Sequence, residues 1–428
     1  MKGIFKKLNS FPPYAKILAG MIKGLIIGYV AVSLGAGDFI YNWISPFGEI
    51  FIRLLKLIAV PLVLVSLIKG IGGLGDMSKL ASIGLRSIVL YTITTVCAIT
   101  LGVILVSVIR PGDIVSDDIS QTLSSSYAGN LDTQVTNMEN LQNKAPLQPL
   151  IDIFPENLFG TLATNGSMLQ VILIAILIGI ATIMVGKERN THFMNFIDDL
   201  DAIMIKLIDI VMAAAPYGVA ALMANLVVGS AGDTSLLSAL GTYTLTVVLG
   251  LLLLMYGFYP LMVKFFSNLN PVKFIKALFP VQLVGFTTSS SAATLATTMS
   301  AANDDLGLPK SVTSFTLPIG VTINMDGTSC YQAIGVIFIA QVMNIDLSFG
   351  QILTIIATTT LSSIGTPGVP GGSIVISMMV LSSVGIPPEG IALIMGVDRP
   401  LDMLRTSVNV TGDVAVSAVI SKKVGELV

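Results

Sequence analysis

The sequence has few charged residues for its length. Lys, Arg, Asp and Glu make up 11% of its 428 residues, whereas 53% are hydrophobic and the mean hydropathy is +0.86. A soluble domain carries about 25% charged residues, so a chain of this composition cannot coat a soluble surface. The net charge of −2 argues against nucleic acid as a partner. The scarcity of charge predicts an integral membrane protein that contacts the lipid bilayer.

The sequence also has only two cysteines and one histidine. Cys97 and Cys330 both fall in apolar segments without the spacing of a metal site, and we interpret them as packing residues. His192 lies in a polar stretch, 187–200, that is predicted to connect two membrane spans. A histidine proton relay inside the membrane is therefore excluded.

Long apolar runs predict the membrane spans. A helix needs about 20 residues to cross the hydrocarbon core. Six runs approach or exceed that length: 13–33, 51–72, 87–109, 167–186, 203–229 and 236–263. The basic N-terminus resembles a signal peptide, but no small-residue cleavage site follows it, so a retained first span is favoured.

Lys and Arg in the short connections predict the orientation. They are concentrated before the first span and after the second, fourth and sixth, so these connections and the N-terminus are expected in the cytoplasm. The residues are Lys2, Lys6, Lys7, Lys69, Lys79, Arg86, Lys187, Arg189, Lys264, Lys273 and Lys276. The polar stretch 113–150 is predicted to be an outside loop without chemistry. Lys422 and Lys423 predict a cytoplasmic C-terminus.

Two later segments are unsuited to a regular span. Residues 284–303 are rich in Ser and Thr, and residues 361–374 hold two prolines and four glycines. Non-helical backbone at membrane depth must be buried in protein or line a watery cavity, so each segment is interpreted as the tip of a re-entrant hairpin. Full spans at 311–343 and 388–420 follow the two tips. This paired arrangement predicts an inverted repeat with its site at the midplane.

The last span carries the strongest functional signal. Asp398, Asp402, Arg405, Asn409 and Asp413 are spaced by four, three, four and four residues, which keeps them within an arc of roughly 80° on a helix. Ionisable groups in a span normally face a partner or a watery site. A guanidinium can hold a carboxylate and a carboxylate can hold an ammonium, so Arg405 and Asp402 are predicted to bind a zwitterion. The alternative is a salt-bridged packing stripe in which Asp402 and Arg405 neutralise each other.

A second signal is the run from Asn324 to Thr328, which reads NMDGT. Pro318, Gly320 and Gly327 surround it, so the helix is expected to unwind there and free its carbonyl groups. Carbonyl, amide and carboxylate oxygens suit a hard cation such as Na⁺. The alternative is a kinked span whose Asn and Asp satisfy its own loose backbone.

The two hairpin tips supply further candidates. Ser289, Ser290 and Ser291 could donate backbone N–H groups and hydroxyls to a substrate carboxylate. The glycine-rich tip 363–372 could hinge and approach a ligand closely, so it is interpreted as a gate on the outer face.

These motifs resemble those of the glutamate transporter family of dicarboxylate/amino acid–cation symporters, most of all its prokaryotic sodium-coupled aspartate and glutamate members. The motifs are NMDGT, the serine-rich tip, SIGTPGVPGG and DMLRTSVNVTGD, with FIRLLKLIAVPLV and AAAPYGVAALM earlier in the chain. The resemblance implies an all-α fold of eight transmembrane helices and two re-entrant hairpins. It also implies a homotrimer in the cell (inner) membrane whose transport domains move like elevators against a scaffold.

The resemblance also implies a division of the chain. Residues 1–80 (spans 1 and 2) and 113–230 (the outside loop with spans 4 and 5) would form the scaffold. Residues 81–112 (span 3) and 231–428 would form the transport domain. The second transport segment would comprise span 6, hairpin 1 at about 272–303, span 7 at about 311–343, hairpin 2 at about 349–385 and span 8 at about 388–420.

If the matching motif residues have the same roles as in the family, the substrate would be aspartate or glutamate. Arg405 would bind the side-chain carboxylate, Asp402 the ammonium, and Asn409 with Ser290 the α-carboxylate. The remaining substrate residues would be Ser289, Thr328, Val369, Ser373 and Thr406.

The resemblance further implies three Na⁺ sites. One would use Gly320, Asn324, Asn409 and Asp413, and another the backbone of Thr322, Ser363, Ile364 and Thr366. The third would use Tyr91, Thr94, Thr95, Asn324 and Asp326, and Met325 is included among the ligands.

This sequence departs from relatives at three positions. Thr288 and Met403 stand where archaeal and animal members, respectively, often have an arginine. Arg399 lies one turn before Met403, and our hypothesis is that it supplies the missing charge to the moving gate. Gln332 stands where animal members have a titratable glutamate, so proton co-transport through that position is not expected.

The rival functions are weaker. An intramembrane aspartyl protease needs two facing carboxylates that share a proton, whereas Asp398 and Asp402 lie on one helix beside an arginine. Buried charges of both signs favour a binding site over the filter of a channel. We therefore expect a sodium-driven symporter of acidic amino acids rather than an enzyme. The alternative is a proton-coupled glutamate/aspartate or C4-dicarboxylate symporter of the same family.

Overall fold

The computed structural model describes residues 13–72, 77–116, 119–121, 154–163, 168–229, 234–363 and 372–423. Within these ranges the regular structure is helical, and they contain no strand. The predicted all-α class is confirmed.

The first three predicted spans each lie within one long helix. These helices are α1 (Pro13–Ser33), α2 (Ser45–Gly72) and α3 (Met77–Ile109). A π-helical turn at Ile40–Ile44 leads into α2, and a 3-10 turn at Pro111–Ile114 follows α3. The apolar runs thus fold as their length indicates.

The polar stretch 187–200 is helical, so the prediction that it forms a connection was wrong. Helix α4 (Met168–Val185) ends at Gly186, whose φ of 86° turns the chain, and α5 (Lys187–Ala213) begins at the next residue. The carboxylates of α5 bind Lys69 of α2, with Nζ 2.8 Å from Asp201 and 3.4 Å from Asp198. Ion pairs of this kind let a polar helix pack beside an apolar one. His192 is exposed on α5.

The predicted span 203–229 is also not one straight helix. It comprises the end of α5 and all of α6 (Ala215–Gly229), and the helix pair is bent by 53°. Pro216 explains the break, because proline has no N–H to donate and its ring clashes with the preceding turn.

The C-terminal half forms two helical hairpins, each followed by further helix. Helix α7 (Ser235–Leu253) continues through a π-helical segment at Leu254–Phe258 into α8 (Tyr259–Ser267). Hairpin 1 consists of α9 (Pro271–Thr288) and α10 (Ser291–Ser300), ending in a π-helical turn at Ala301–Asp305. The other helices are α11 (Lys310–Ile323), α12 (Asp326–Val342), α13 (Phe349–Ser363), α14 (Gly372–Ser383) and α15 (Met395–Lys423), with a 3-10 turn at Pro388–Leu393.

Helices α1 and α6 pack at unusually short range. Gly20, Gly24 and Gly28 repeat at every fourth residue of α1 and face α6. A Cβ atom at Gly20 or Gly24 would overlap the carbonyl oxygen of Pro216 or Ala220, respectively. Small residues at this spacing let two membrane helices approach backbone to backbone.

The described helices pack in two groups. Helices α1, α4, α5 and α6 pack against α2 or each other, whereas α3 and α7–α14 pack mainly around α12 and α15. Every residue from Arg405 to Ser421 of α15 is buried. A helix buried on all sides lies inside a protein and not at its surface, so α15 is the centre of the second group.

Among the described residues, three continuous helical stretches are long and apolar enough to cross a membrane alone. They are Gly37–Lys69, Gly84–Ile114 and Ser235–Ser267, and the bent pair Glu188–Val211 with Ala215–Gly229 is a fourth candidate. Helix α15 has several charged residues, and the predicted seventh span is broken into α11 and α12. The count of eight spans stays a prediction.

Candidate functional site

A chain of ion pairs runs along one face of α15. Arg405 donates from Nη1 to Asp398 Oδ1 at 2.9 Å and from Nη2 to Asp402 Oδ1 at 2.8 Å. Arg399 donates from Nη1 to the other carboxylate oxygen of Asp402, also at 2.9 Å. The Arg405 side chain is 0% exposed. Buried charges are retained only when they are paired and hydrogen-bonded, and these four form a complete network.

Two other helices complete the surroundings of Arg405. The Tyr331 ring of α12 stacks beneath its guanidinium, with Cζ 3.9 Å from the ring centroid. Ser373 of α14 accepts a hydrogen bond from Nη2 at 2.9 Å. Arg405 Nε has no partner among the described residues. Residues of three helices thus contact the arginine, and its Nε–H remains without a partner among the described residues.

The alternative of a self-neutralising stripe is partly correct. Asp402 and Arg405 do pair, and Asp398 joins them. Asn409 and Asp413, further along the same face, bind the broken helix α11–α12. The predicted stripe is therefore two adjoining sites, one formed by ion pairs and one formed by amide and carboxylate oxygens at the break.

The predicted unwinding of the NMDGT segment is confirmed. Helix α11 ends at Ile323, Asn324 and Met325 are non-helical, and α12 begins at Asp326. Asn324 Nδ2 donates to Asp413 Oδ1 at 2.9 Å, and Asn409 Oδ1 accepts from the Gly327 N–H at 2.8 Å. The side-chain amides of Asn324 and Asn409 thus bind the break to α15.

Helix α3 approaches the same break. Thr95 donates to Asp326 Oδ1 at 2.6 Å, and Thr94 to Asn324 Oδ1 at 3.4 Å. Tyr91 donates to the carbonyl oxygen of Thr316 at 3.0 Å. The structure therefore brings together the predicted third set of cation ligands.

Asp413 presents an unpaired oxygen in this region. Its Oδ2 is buried and has no hydrogen-bond partner among the described residues. A Cβ atom at Gly320 would lie 2.5 Å from Asp413 Oδ1 and 2.8 Å from the Tyr91 hydroxyl. A buried polar atom without a partner is costly. The Gly320 backbone thus packs directly against Asp413, whose Oδ2 needs a positive or hydrogen-bonding partner.

Tyr259 is a residue of this site that sequence reasoning missed. Its hydroxyl donates to Asp326 Oδ2 at 2.8 Å, directly after the π-helical segment that separates α7 from α8. Such segments are frequent at functional sites. The only signal in the sequence is a tyrosine within the sixth apolar run.

Hairpin 1 has the tip that was predicted. Helix α9 ends at Ser289, which has a left-handed φ of 50°, and Ser290 caps α10 by accepting from the Ala293 N–H at 3.2 Å. The Ser289 hydroxyl is buried without a partner among the described residues. The hairpin packs on α15, where a Cβ at Gly285 would lie 3.5 Å from Ser407 Cα.

Gln282 ties hairpin 1 to α15 and was not predicted. Its Nε2 donates to Thr411 Oγ1 at 3.1 Å, and its Oε1 accepts from Tyr256 at 3.2 Å. Its carbonyl oxygen accepts from Ser407 at 2.8 Å. A lone glutamine in an amphipathic hairpin arm gives no sequence signal of such a role.

Hairpin 2 is described only outside its tip. Ile364, Thr366 and Val369 lie outside the described residues, as does the rest of the predicted gate from 364 to 371. Ser373, just after the tip, binds Arg405 through its hydroxyl and accepts from Gln332 Nε2 through its carbonyl at 3.4 Å. The second arm of hairpin 2 is thus attached to the charged site.

The other predicted residues have ordinary local contacts. Thr328 accepts from Asn409 at 3.3 Å, and Asn409 also contacts Met325 Sδ at 3.3 Å. The hydroxyls of three others bond to carbonyls of their own helices: Thr322 to Ile319, Ser363 to Thr360 and Thr406 to Asp402. Their roles toward a ligand stay predictions.

The charged face is closed by its own contacts. A cavity of about 670 Å³ lies elsewhere, at the base of hairpin 1, where Lys273, Lys276 and Asp305 are among its lining residues. Another of about 320 Å³ lies between α1, α2 and α6. Neither of these two cavities is lined by a residue of α15.

The fold and the site define a class: an all-helical membrane protein with a buried site of mixed charge between two hairpins and a broken helix. The model of the Sodium:dicarboxylate symporter family matches residues 14–423. The chain belongs to this family.

Its similarity to individual members extends over nearly the whole chain. It is 35% identical to the Proton/glutamate-aspartate symporter of Bacillus subtilis, over 97% of this chain and 95% of that protein. It is 32% identical to the Proton/sodium-glutamate symport protein of Bacillus caldotenax, over 96% and 94%. It is 34% identical to human Excitatory amino acid transporter 3, over 88% and 78%.

Proposed function

We propose that this protein is a secondary active symporter that moves aspartate or glutamate together with cations, with Na⁺ as the driving ion. The observation that carries the proposal is the position of a fully buried arginine beside a cluster of oxygen groups at a broken helix. The family relatives named above are symporters and a transporter, not enzymes.

The charged site suits an acidic amino acid. Arg405 has an unpaired Nε, and its two Nη atoms bind Asp398, Asp402 and Ser373. A guanidinium can bind a carboxylate with two parallel hydrogen bonds. Asp402 lies on the same face and can accept an ammonium group. Asn409 and Thr328 extend the polar surface toward hairpin 1, where the Ser289–Ser290 tip offers donors for the α-carboxylate.

The oxygen groups around Asn324 suit Na⁺, which prefers hard oxygen ligands. Asp413, with its unpaired Oδ2, supports the first site, formed with Asn324 and Asn409. Tyr91, Thr94, Thr95 and Asp326 support another. The second implied site, with backbone of Thr322, Ser363, Ile364 and Thr366, rests on the family resemblance.

Charge balance supports co-transport of several cations. Asp326, Asp398, Asp402 and Asp413 are buried, and Arg399 and Arg405 offset two of them when all are ionised. An acidic amino acid would bring one more net negative charge, leaving three. Because uncompensated buried charge is costly, three monovalent cations would make the loaded site neutral.

Proton coupling is the second candidate. One relative is named a proton/glutamate-aspartate symporter and another a proton/sodium-glutamate symport protein. Asp326 or Asp413 could be neutralised by a proton instead of Na⁺, and the same charge balance would hold. Gln332 cannot contribute, because an amide does not titrate. Transport of C4 dicarboxylates instead of amino acids is a further alternative.

We further propose the elevator mechanism, with hairpin 2 as the outer gate and both termini in the cytoplasm of a cell whose inner membrane holds the protein. The two packing groups of helices support the division into scaffold and transport domain. A homotrimer is supported by the exposed apolar side chains of α5 at seven-residue spacing, Phe196, Ile203 and Ile210, since a heptad repeat is typical of helix–helix interfaces.

Uptake by proteoliposomes tests the proposal. We expect labelled L-aspartate and L-glutamate to accumulate when an inward Na⁺ gradient is imposed. A proton gradient imposed separately distinguishes the second candidate. If neither gradient drives accumulation of either amino acid, the proposed function is wrong.

A further inference from the structure

Asp402 is bridged by two arginines that differ in their freedom to leave. Arg405 is 0% exposed and is also bound to Asp398, Ser373 and the Tyr331 ring. Arg399 is 12% exposed, and Asp402 is its one ion-pair partner among the described residues. Its Nε has no partner there either. Of the two cations on Asp402, Arg399 is therefore the one that can be released.

We propose that Arg399 occupies the ammonium site of the substrate and so lowers the selectivity for acids that carry an amino group over diacids that lack one. Arg399 and the ammonium would compete for the same carboxylate, Asp402 Oδ2. An amino acid must displace Arg399 or share Asp402 with it, whereas a diacid without an amine leaves the Arg399–Asp402 pair intact. This inference rests on the proposed function and deepens it.

The geometry favours competition over simple support. Asp402 already receives one hydrogen bond on each oxygen, from Arg405 at 2.8 Å and from Arg399 at 2.9 Å. A third cation at the same carboxylate would be repelled by both guanidinium groups. Removal of Arg399 would strengthen the attraction of Asp402 for an ammonium, and Arg405 would still keep Asp402 from being left unpaired.

The test compares two substrates of equal length. The Michaelis constant for L-aspartate and the inhibition constant for succinate are measured at saturating Na⁺ in proteoliposomes. In Arg399→Gln we expect the Michaelis constant for aspartate to fall about tenfold. Succinate should bind this variant no more tightly than it binds the wild type. Arg399→Lys should lower the aspartate constant by a smaller factor, because an ammonium lacks the planar fork of arginine and is released more readily.

Arg110→Gln is the matched control. Arg110 is also bound to an aspartate three residues away, Asp113, but both side chains are exposed and lie outside the proposed site. This variant should leave both constants unchanged.

An aspartate constant that is unchanged or raised in both Arg399 variants would overturn the inference, as would an equal gain for succinate. If Arg399→Gln does not reach the membrane, the aspartate constant of Arg399→Lys alone tests the inference. Failure of the wild type to take up aspartate would instead count against the proposed function.

Discussion

Asn324 donates a hydrogen bond to Asp413 at 2.9 Å and so joins the break in the α11–α12 span to the central helix α15. The same carboxylate leaves its other oxygen, Oδ2, without a hydrogen-bond partner among the described residues. Asp413 lies about two turns beyond Arg405 on the same helix. A cation at this contact would hold the broken helix and the substrate-binding face in one arrangement, which gives a physical route from cation binding to substrate binding.

Asp413→Asn should weaken cation binding and leave the arginine site unchanged. The amide keeps the shape of the side chain but loses the charge that attracts Na⁺. We expect the Na⁺ concentration for half-maximal aspartate uptake to rise at least about tenfold, which corresponds to roughly 1.4 kcal/mol. Thr313→Val is the control, because Thr313 lies near the other end of α11 from Asn324 and its hydroxyl binds Asn303 of hairpin 1. An unchanged Na⁺ requirement in Asp413→Asn would show that this contact is structural only.

Arg405→Cys should abolish uptake of aspartate and glutamate. It also leaves Asp398 and Asp402 without their shared partner, and breaking a buried pair costs about 3–5 kcal/mol. The double variant Arg405→Cys with Asp398→Asn removes one of the stranded charges, so we expect it to recover thermal stability without recovering acidic uptake.

The measurement is uptake per folded protein, with folding followed by size-exclusion chromatography after heating. Undiminished aspartate transport in either Arg405 variant would contradict the role assigned to Arg405.

Gln282→Leu should raise the Michaelis constant for aspartate several-fold without changing the Na⁺ requirement. Gln282 fixes hairpin 1 against Thr411 and Tyr256, and each lost hydrogen bond is worth about 0.5–1.5 kcal/mol. The serine tip, which is proposed to bind the substrate, lies two turns further along the same arm. Tyr256→Phe removes only one of these bonds and should give a smaller change. Equal losses of substrate and Na⁺ affinity would indicate general destabilisation instead of positioning.

Gly24→Ala should destabilise the scaffold. The new methyl group would overlap the Ala220 carbonyl oxygen and push α1 from α6, and overpacking of this kind costs typically 1–3 kcal/mol. Gly241→Ala is the matched control: it lies within α7, and its added methyl would meet no atom within 4 Å. Gly→Ala in a helix is worth about 1 kcal/mol in favour of folding. The unfolding temperature in detergent should therefore fall for Gly24→Ala and rise for Gly241→Ala.

Much of this architecture could be predicted from the sequence because membrane helices carry a strong signal in apolar length. The charged face of α15 and the break at Asn324 were also predictable, since charge and Pro or Gly are rare inside spans and carry meaning there. Helix α5 was missed at residues 187–200, because a polar helix supported by Lys69 on another helix has no apolar run of its own.

The finer contacts of the site were not predictable from spacing. Tyr259 and Gln282 reach the site from other elements through tertiary packing, and neither stands in a recognisable motif. Tyr91, Thr94 and Thr95 were found only through family resemblance, since a tyrosine and two threonines in an apolar helix are otherwise typical of packing. Arg399 was predicted to serve the gate, but its described contact is with Asp402. The four-residue spacing predicts which face of the helix a residue lies on, but it does not predict which neighbouring residue its side chain binds.

The most direct test of the central claim is the equilibrium binding of L-aspartate to the purified wild-type protein at increasing Na⁺, with pH and ionic strength held constant. If cations at the Asn324–Asp413 contact organise the substrate site, the dissociation constant for aspartate falls steeply as Na⁺ rises, and Asp413→Asn flattens the dependence. A dissociation constant that does not change with Na⁺ in the wild type would contradict sodium coupling.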